Sequence, residues 1–228
     1  MISFGASFPT HIALGRYHSC CAIDNLGDVK CWGDNFFGQV GIGSFFGDIG
    51  TPTTIAISET VTEIAIGASH SCAITVSNDT YCWGWNEEGQ LGDGTYTNRN
   101  EPTLVKGGSP PTVIQLAGGF DFSCGIVTGK VYCTGLNRWN QLGRPDPYST
   151  NTPKRALEIN RASQVALGFY HGCAIEGDVV KCWGFNFAGQ VGIGSSDLDV
   201  DTPTVVSFPT PPHNQTMISF HFVPKLIV

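Results

Sequence analysis

Apolar residues along this chain come in short alternating bursts, each closed by glycine, asparagine or proline. "HIALG" from His11, "TEIAIG" from Thr62, "VIQLAGG" from Val113 and "SQVALG" from Ser163 each read as a strand. A second burst follows each one: "HSCCAI" from His18, "HSCAI" from His70, "FSCGI" from Phe122 and "HGCAI" from His171. After a short turn ("DNLGD", "VSND", "TGK", "EGD") comes "VKCWG" or its equivalent. A Gly/Asn-rich loop and a fourth burst such as "PTTIAI" or "PTLV" complete the set. Period-two alternation bounded by turn residues predicts short strands, and no long run shows the 3.6-residue period of a helix.

The bursts repeat. A Trp-Gly landmark falls at Trp32, Trp83, Thr134 (substituted) and Trp183, and a proline at Pro52, Pro102, Pro153 and Pro203. Two registers that agree on a period near fifty predict one supersecondary unit per repeat. The units run roughly over residues 10–60, 61–111, 112–160 and 161–208. Four-stranded sheets repeated around an axis are propeller blades. The expected fold is an all-β propeller, of four blades or as part of a larger ring. A Pro-rich stretch at 209–216 reads as a linker and 217–228 as a terminal strand. "MISF" occurs at both Met1 and Met217, so two terminal strands sharing one blade would close a ring.

Composition narrows the function classes. Of 228 residues, 41% are hydrophobic and 14% charged, enough apolar surface to offset the entropy of ordering. The net charge of −7, without a basic cluster, argues against nucleic acid as a partner. No apolar stretch approaches the ~18 residues of a membrane span. The first residues lack the charged and apolar regions of a signal peptide.

The nine cysteines form hairpin pairs: Cys72 with Cys82, Cys124 with Cys133, Cys173 with Cys182. Residues facing each other on paired strands lie close enough for a disulfide after slight adjustment. By the same spacing Cys21 pairs with Cys31, and Cys20 reads as an extra residue at a bulge. Zinc sites gather cysteines two to four residues apart into one place, which this spacing does not do. Reduced core thiols are the remaining alternative. Disulfides point to an extracellular or cell-surface location.

The signature G-x-x-H-S-x-A-I, then V-x-x-W-G-x-N-x-x-G-Q-L-G, resembles the regulator of chromosome condensation repeat family. It is carried by Gly15, His18 and Ser19; Gly67, His70 and Ser71; Trp32, Gly33, Asn35, Gly38, Gln39 and Gly41; Trp83, Gly84, Asn86, Gly89, Gln90 and Gly92; and Trp183, Gly184, Asn186, Gly189, Gln190 and Gly192. The third unit drifts, with Phe122, Thr134 and Asn140 in place of His, Trp and Gly. The cysteine-paired version is similar to secreted or surface forms of the repeat. The resemblance implies a propeller usually of seven blades. Four units leave three readings: a segment of a longer propeller, a small closed ring, or an open arc that pairs through its edges.

Within the motif, Gly33, Gly84, Gly135 and Gly184 are expected at positive φ or at close backbone approaches. Asn35, Asn86, Asn137 and Asn186 are expected in Asx turns, and Gln39, Gln90, Gln141 and Gln190 as buried amides. The three tryptophans read as core, and His18, His70 and His171 as structural. Asp197, Asp199 and Asp201 alternate as in a calcium loop, but Thr202 and Phe208 stand where its Gly and Glu belong. A solvated acidic loop is the better reading. Asn78 and Asn214 open glycosylation sequons, relevant only to a secreted chain. No cofactor, metal or catalytic set is indicated. The loops carry Phe36, Phe37, Phe45, Phe46, Trp85, Arg138, Trp139 and Phe187, types enriched at interface anchors. The expected function is non-enzymatic recognition of a protein or glycan through these loops. Nuclear and cytosolic members of the resembled family imply the alternative, guanine-nucleotide exchange or regulation of a small GTPase.

Overall fold

The computed structural model describes residues 7–16, 19–105, 113–196 and 199–208. Blade 1 is built from β1 (Pro9–Leu14), β2 (Ser19–Asp24), β3 (Val29–Gly33) and β4 (Ile49–Thr54). Blade 2 holds β5 (Val61–Ile66), β6 (His70–Thr75), β7 (Thr80–Gly84) and β8 (Arg99–Leu104). Blade 3 holds β9 (Val113–Gly118), β10 (Phe122–Val127), β11 (Lys130–Leu136) and β12 (Ser149–Arg155). Blade 4 holds β13 (Ala162–Leu167), β14 (His171–Glu176), β15 (Val179–Phe185) and β16 (Asp199–Val205). Each sheet is antiparallel in chain order. The all-β propeller architecture expected from the sequence is therefore present. The regions 209–216 and 217–228, and with them the terminal strands that would close a ring, lie outside the described residues.

The landmark proline has a backbone reason. In each blade the third and fourth strands pair at the Cys and at the Gly that flank the tryptophan position, and the register shifts between them. The edge strand opposite has residues outside the ladder, among them Pro52, Pro102, Pro153 and Pro203. A residue without an N–H costs nothing there.

The cysteines face each other in register, Cys21 opposite Cys31 and likewise in the other blades. All four pairs are disulfides, and Cys20 is the free thiol. The expected bulge at Cys20 is not there. Cys20 lies regularly opposite Trp32 and Ser19 opposite Gly33, as Ser71 lies opposite Trp83 and His70 opposite Gly84. The extra residue sits instead in the turn between β1 and β2: Gly15 N–H bonds the Ser19 carbonyl, whereas Gly67 N–H bonds that of His70. Ser19 thus occupies the structural place of His70, and Cys20 that of Ser71.

The core lies between blades. Val40 and Ile55 of blade 1 pack with Ile66 and Trp83 of blade 2, and Phe122 and Leu142 of blade 3 with Val165 and Trp183 of blade 4. The first strand of each blade packs on the first two strands of the blade before it; blades 1 and 4 share no comparable strand packing among the described residues. The described strands form an arc around a pit of about 400 Å³. Trp83 and Trp183 are fully buried, as expected of core residues, while Trp32 is only half-buried.

Candidate binding face

The loop after each third strand is built the same way four times. Gly33, Gly84, Gly135 and Gly184 take φ of 110°, 102°, 108° and 95°, which turns the chain out of the sheet. The Asn side-chain oxygen then accepts the N–H five residues on: Val40, Leu91, Leu142 and Val191, at 2.9–3.0 Å. The Gln Oε1 accepts the N–H two residues back: Phe37, Glu88, Trp139 and Ala188. The loop tips are therefore fixed by side chain to backbone bonds. The Gln main-chain carbonyl faces the next blade: Gln39 O accepts Ser71 Oγ at 3.0 Å and Trp83 Nε1 at 2.9 Å. Gln90 O accepts Ser123 Oγ at 2.9 Å and Gln141 O accepts Trp183 Nε1 at 2.8 Å. Where blade 3 lacks its tryptophan, Thr134 Oγ1 bonds the Gly89 and Thr150 carbonyls instead.

Antiparallel order puts the loops between first and second strands on the same edge as these tips. The eight loop residues singled out by sequence fall into two patches on that edge. In the first, Phe37 stacks on Trp85 across the blade 1/2 junction at 5.3 Å, and Phe36 meets Phe37 and Phe46 edge-on at 4.9 and 5.0 Å. Phe45 lies beside Phe46 at 6.4 Å. Phe36 and Phe46 are 55% and 63% exposed, so the patch faces water. In the second, Trp139 contacts Phe185 at 5.1 Å across the blade 3/4 junction, the Arg138 guanidinium lies 5.2 Å from the Trp139 ring, and Phe187, 66% exposed, stacks on Phe185. Phe37, Trp85 and Trp139 are half-buried, so they join the blades as well as lining the face.

The structure adds residues that the sequence reading missed. At the pit mouth Phe120 stacks on Phe169 at 4.0 Å, and the Arg16 guanidinium lies 4.1 Å from the Phe169 ring. Tyr170 links this group to Phe185. These side chains follow Gly15, Gly119 and Gly168 in the turn after the first strand. Aligning that turn across the units, where Arg16, Ala68, Phe120 and Phe169 share one column, is the signal that exposes them.

Between the patches lies a carboxyl pair. Asp121 is buried, its Oδ1 has no hydrogen-bond partner, and burial, followed by the nearby Glu88 carboxylate, pushes its pKa up to about 7. Glu88 is itself raised by burial and by Glu87. A raised carboxyl pKa means the folded state holds the proton more tightly than the unfolded chain, so this contribution to stability is full below about pH 4 and is lost as pH rises to about 7. With solvent screening the loss is about 2 kcal/mol. Asp121→Asn keeps a neutral group at every pH. It is expected to match the parent in urea midpoint at pH 4 and exceed it at pH 8; a pH-independent difference would contradict this.

Of the other candidates, His18 lies outside the described residues. His70 is buried with Nε2 2.7 Å from Ser123 Oγ across the blade 2/3 junction, and desolvation lowers its pKa to about 4. Asp199 and Asp201 accept the Asn140 amide, while Asp197 lies outside the described residues. Among the described residues no three His, Cys, Asp or Glu side chains converge to hold a metal ion.

Comparisons with known proteins agree with this architecture. A profile described as the regulator of chromosome condensation (RCC1) repeat matches residues 27–74, 77–126 and 128–175. The ultraviolet-B receptor UVR8 of Arabidopsis thaliana is 34% identical over 204 residues, covering 87% of this chain and 46% of that protein. The crystal structure of human WBSCR16 superposes with a TM-score of 0.81 at 22% identity, covering 91% of this chain and 55% of the other. Yeast RCC1 (Prp20), solved bound to Kap60, gives 0.79 at 22% identity, covering 90% and 50%. The chain thus spans about half the length of these proteins.

Proposed function

Because this chain belongs to the regulator of chromosome condensation (RCC1) repeat family, we propose that it is a non-enzymatic binding module that recognises a protein through the aromatic edge of its blades. The observation that carries this reading is the water-facing set of Phe36, Phe46 and Phe187 on loop tips held by repeated side chain to backbone bonds. Aromatic groups fixed before contact add apolar area to an interface without a further ordering cost, which is the property of binding anchors. Arg138 over Trp139 adds a cationic group to the second aromatic patch. The four disulfides support an extracellular or cell-surface setting for this activity.

The test is comparative crosslinking from the native source. Combined Phe36→Ala, Phe46→Ala and Phe187→Ala is expected to leave the urea midpoint nearly unchanged, since these side chains are mostly exposed. It is expected to weaken capture of the partner at least tenfold. Leu26→Ala, in an exposed turn on the opposite edge, serves as the control and should change neither. Equal loss in both variants would overturn the assignment to this edge. The competing reading, nucleotide exchange on a small GTPase, requires accelerated nucleotide release by this chain.

A further inference from the structure

On the loop edge, each junction between successive blades is built from three equivalent positions. The earlier blade supplies the residue whose N–H bonds the Gln Oε1 of its loop: Phe37, Glu88 or Trp139. The later blade supplies two, because the residue after the loop glycine donates its N–H to a carbonyl in the turn between first and second strands. These pairs are Trp85 with Ser69, Leu136 with Asp121, and Phe185 with Tyr170. At the first and third junctions the frame brings aromatic rings together, Phe37 on Trp85 and Trp139 against Phe185. At the middle junction two of the three positions carry carboxyl groups, Glu88 and Asp121. Asp121 is 5% exposed and its Oδ1 has no hydrogen-bond partner. Among the described residues no ion pair joins Asp121, Glu88 or the neighbouring Glu87 to a cation of the chain.

We propose that the middle junction is a socket for an arginine side chain of the protein partner, received by the Glu88 and Asp121 carboxyl groups with an aromatic patch on either side. The proposal rests on the reading of this edge as the binding face and adds the chemistry of the partner: one basic residue between two apolar contacts. Charge selects the occupant. A neutral group would leave the two carboxylates repelling each other in a site that burial has partly stripped of water. A calcium ion takes about six or more oxygen ligands, and no third acidic, His or Cys side chain converges here among the described residues. A guanidinium brings five donors and its own charge, and its flat faces pack on aromatic rings. Glu88, half-buried, is reached first. The more buried Asp121 then ionises and releases its proton to water.

The probe is N-acetyl-arginine amide, with its citrulline counterpart as an uncharged control of nearly the same shape. Each is titrated into the whole chain and followed by the Glu88 and Leu136 amide resonances. Both N–H groups are hydrogen-bonded, to Gln90 Oε1 at 3.1 Å and to the Asp121 carbonyl at 2.8 Å, which keeps them observable at pH 8. The arginine amide is expected to shift both resonances saturably, and the citrulline amide to bind at least about tenfold more weakly. Glu88→Gln and Asp121→Asn should each weaken arginine binding at least about tenfold. Asp178→Asn, in an exposed turn on the opposite edge, should bind as the parent does. Parent affinity should fall at least about tenfold from pH 8 to pH 5, as Asp121, with its pKa near 7, takes up its proton. His70, buried at the same junction with its pKa lowered to about 4, stays neutral over that range. Asp121→Asn should flatten the profile. Citrulline binding equal to arginine, or arginine affinity unchanged in both carboxyl variants, would overturn the socket. Neither result touches the edge assignment, since the combined Phe36, Phe46 and Phe187 variant reads partner capture and is expected to keep the arginine-amide shifts.

Discussion

Reducing the four disulfides is expected to unfold the protein at neutral pH and ordinary temperature. Each bridge closes a hairpin whose cysteines are nine or ten residues apart. Restricting the unfolded chain by such a loop contributes about 2–3 kcal/mol. Four together reach about 10 kcal/mol, comparable to the whole stability of a typical domain of about 5–15 kcal/mol. The bridge positions are mostly buried, Cys21, Cys31 and Cys133 fully so, and hydrophobic clusters incorporate their sulfurs. Near-UV circular dichroism during urea titration, with and without a phosphine reductant, reads the effect directly. An unchanged transition in the fully reduced protein would show that the thiols pack as well as the bridges, and would remove the physical ground for an oxidising compartment.

Trp83→Ala is expected to cost about 3–5 kcal/mol, the range for deleting a buried aromatic residue. The indole is fully buried between blades 1 and 2, and its N–H ends on the Gln39 carbonyl. Gly41 exists to admit it: a Cβ there would come within 2.6 Å of Trp83 Nε1. Trp32→Ala, at the half-open equivalent position, is expected to cost under about 1.5 kcal/mol, because less area leaves contact. Urea midpoints of the two variants test the contrast. Equal costs would mean that the tryptophan acts within its own sheet, and the junction chemistry assigned to it would fail.

Blade number within the chain, strand order and cysteine pairing were all legible, because each is fixed by spacing that recurs with the period of the repeat. The offset at the first unit was not. "HSCC" places His18 by eye with His70, although pairing Cys21 with Cys31 already shifts the strand by one residue. The longer turn after Gly15 absorbs the difference, and turn length is invisible where the flanking motif survives. The loop aromatics were identifiable by type and position. Their grouping into two patches was not, because Phe37 meets Trp85 and Trp139 meets Phe185 across blade junctions, between residues almost fifty positions apart. Arg16, Phe120 and Phe169 went unread because they occupy an unspecified position just after the glycine of the G-x-x-H signature, and only the curvature of the arc gathers them at the pit.

The direction of the junction bonds has a consequence for how the polypeptide is made. Every glutamine carbonyl that receives a hydrogen bond lies upstream of its donor: Gln39 before Ser71 and Trp83, Gln90 before Ser123, Gln141 before Trp183. A ribosome therefore releases each dock before the side chains that moor to it. With contacts confined to neighbouring repeats, growth can proceed blade by blade on a finished template. Truncating the chain from its C-terminal end should leave the earlier docks intact, whereas removing blade 1 strips blade 2 of the surface that seats its tryptophan.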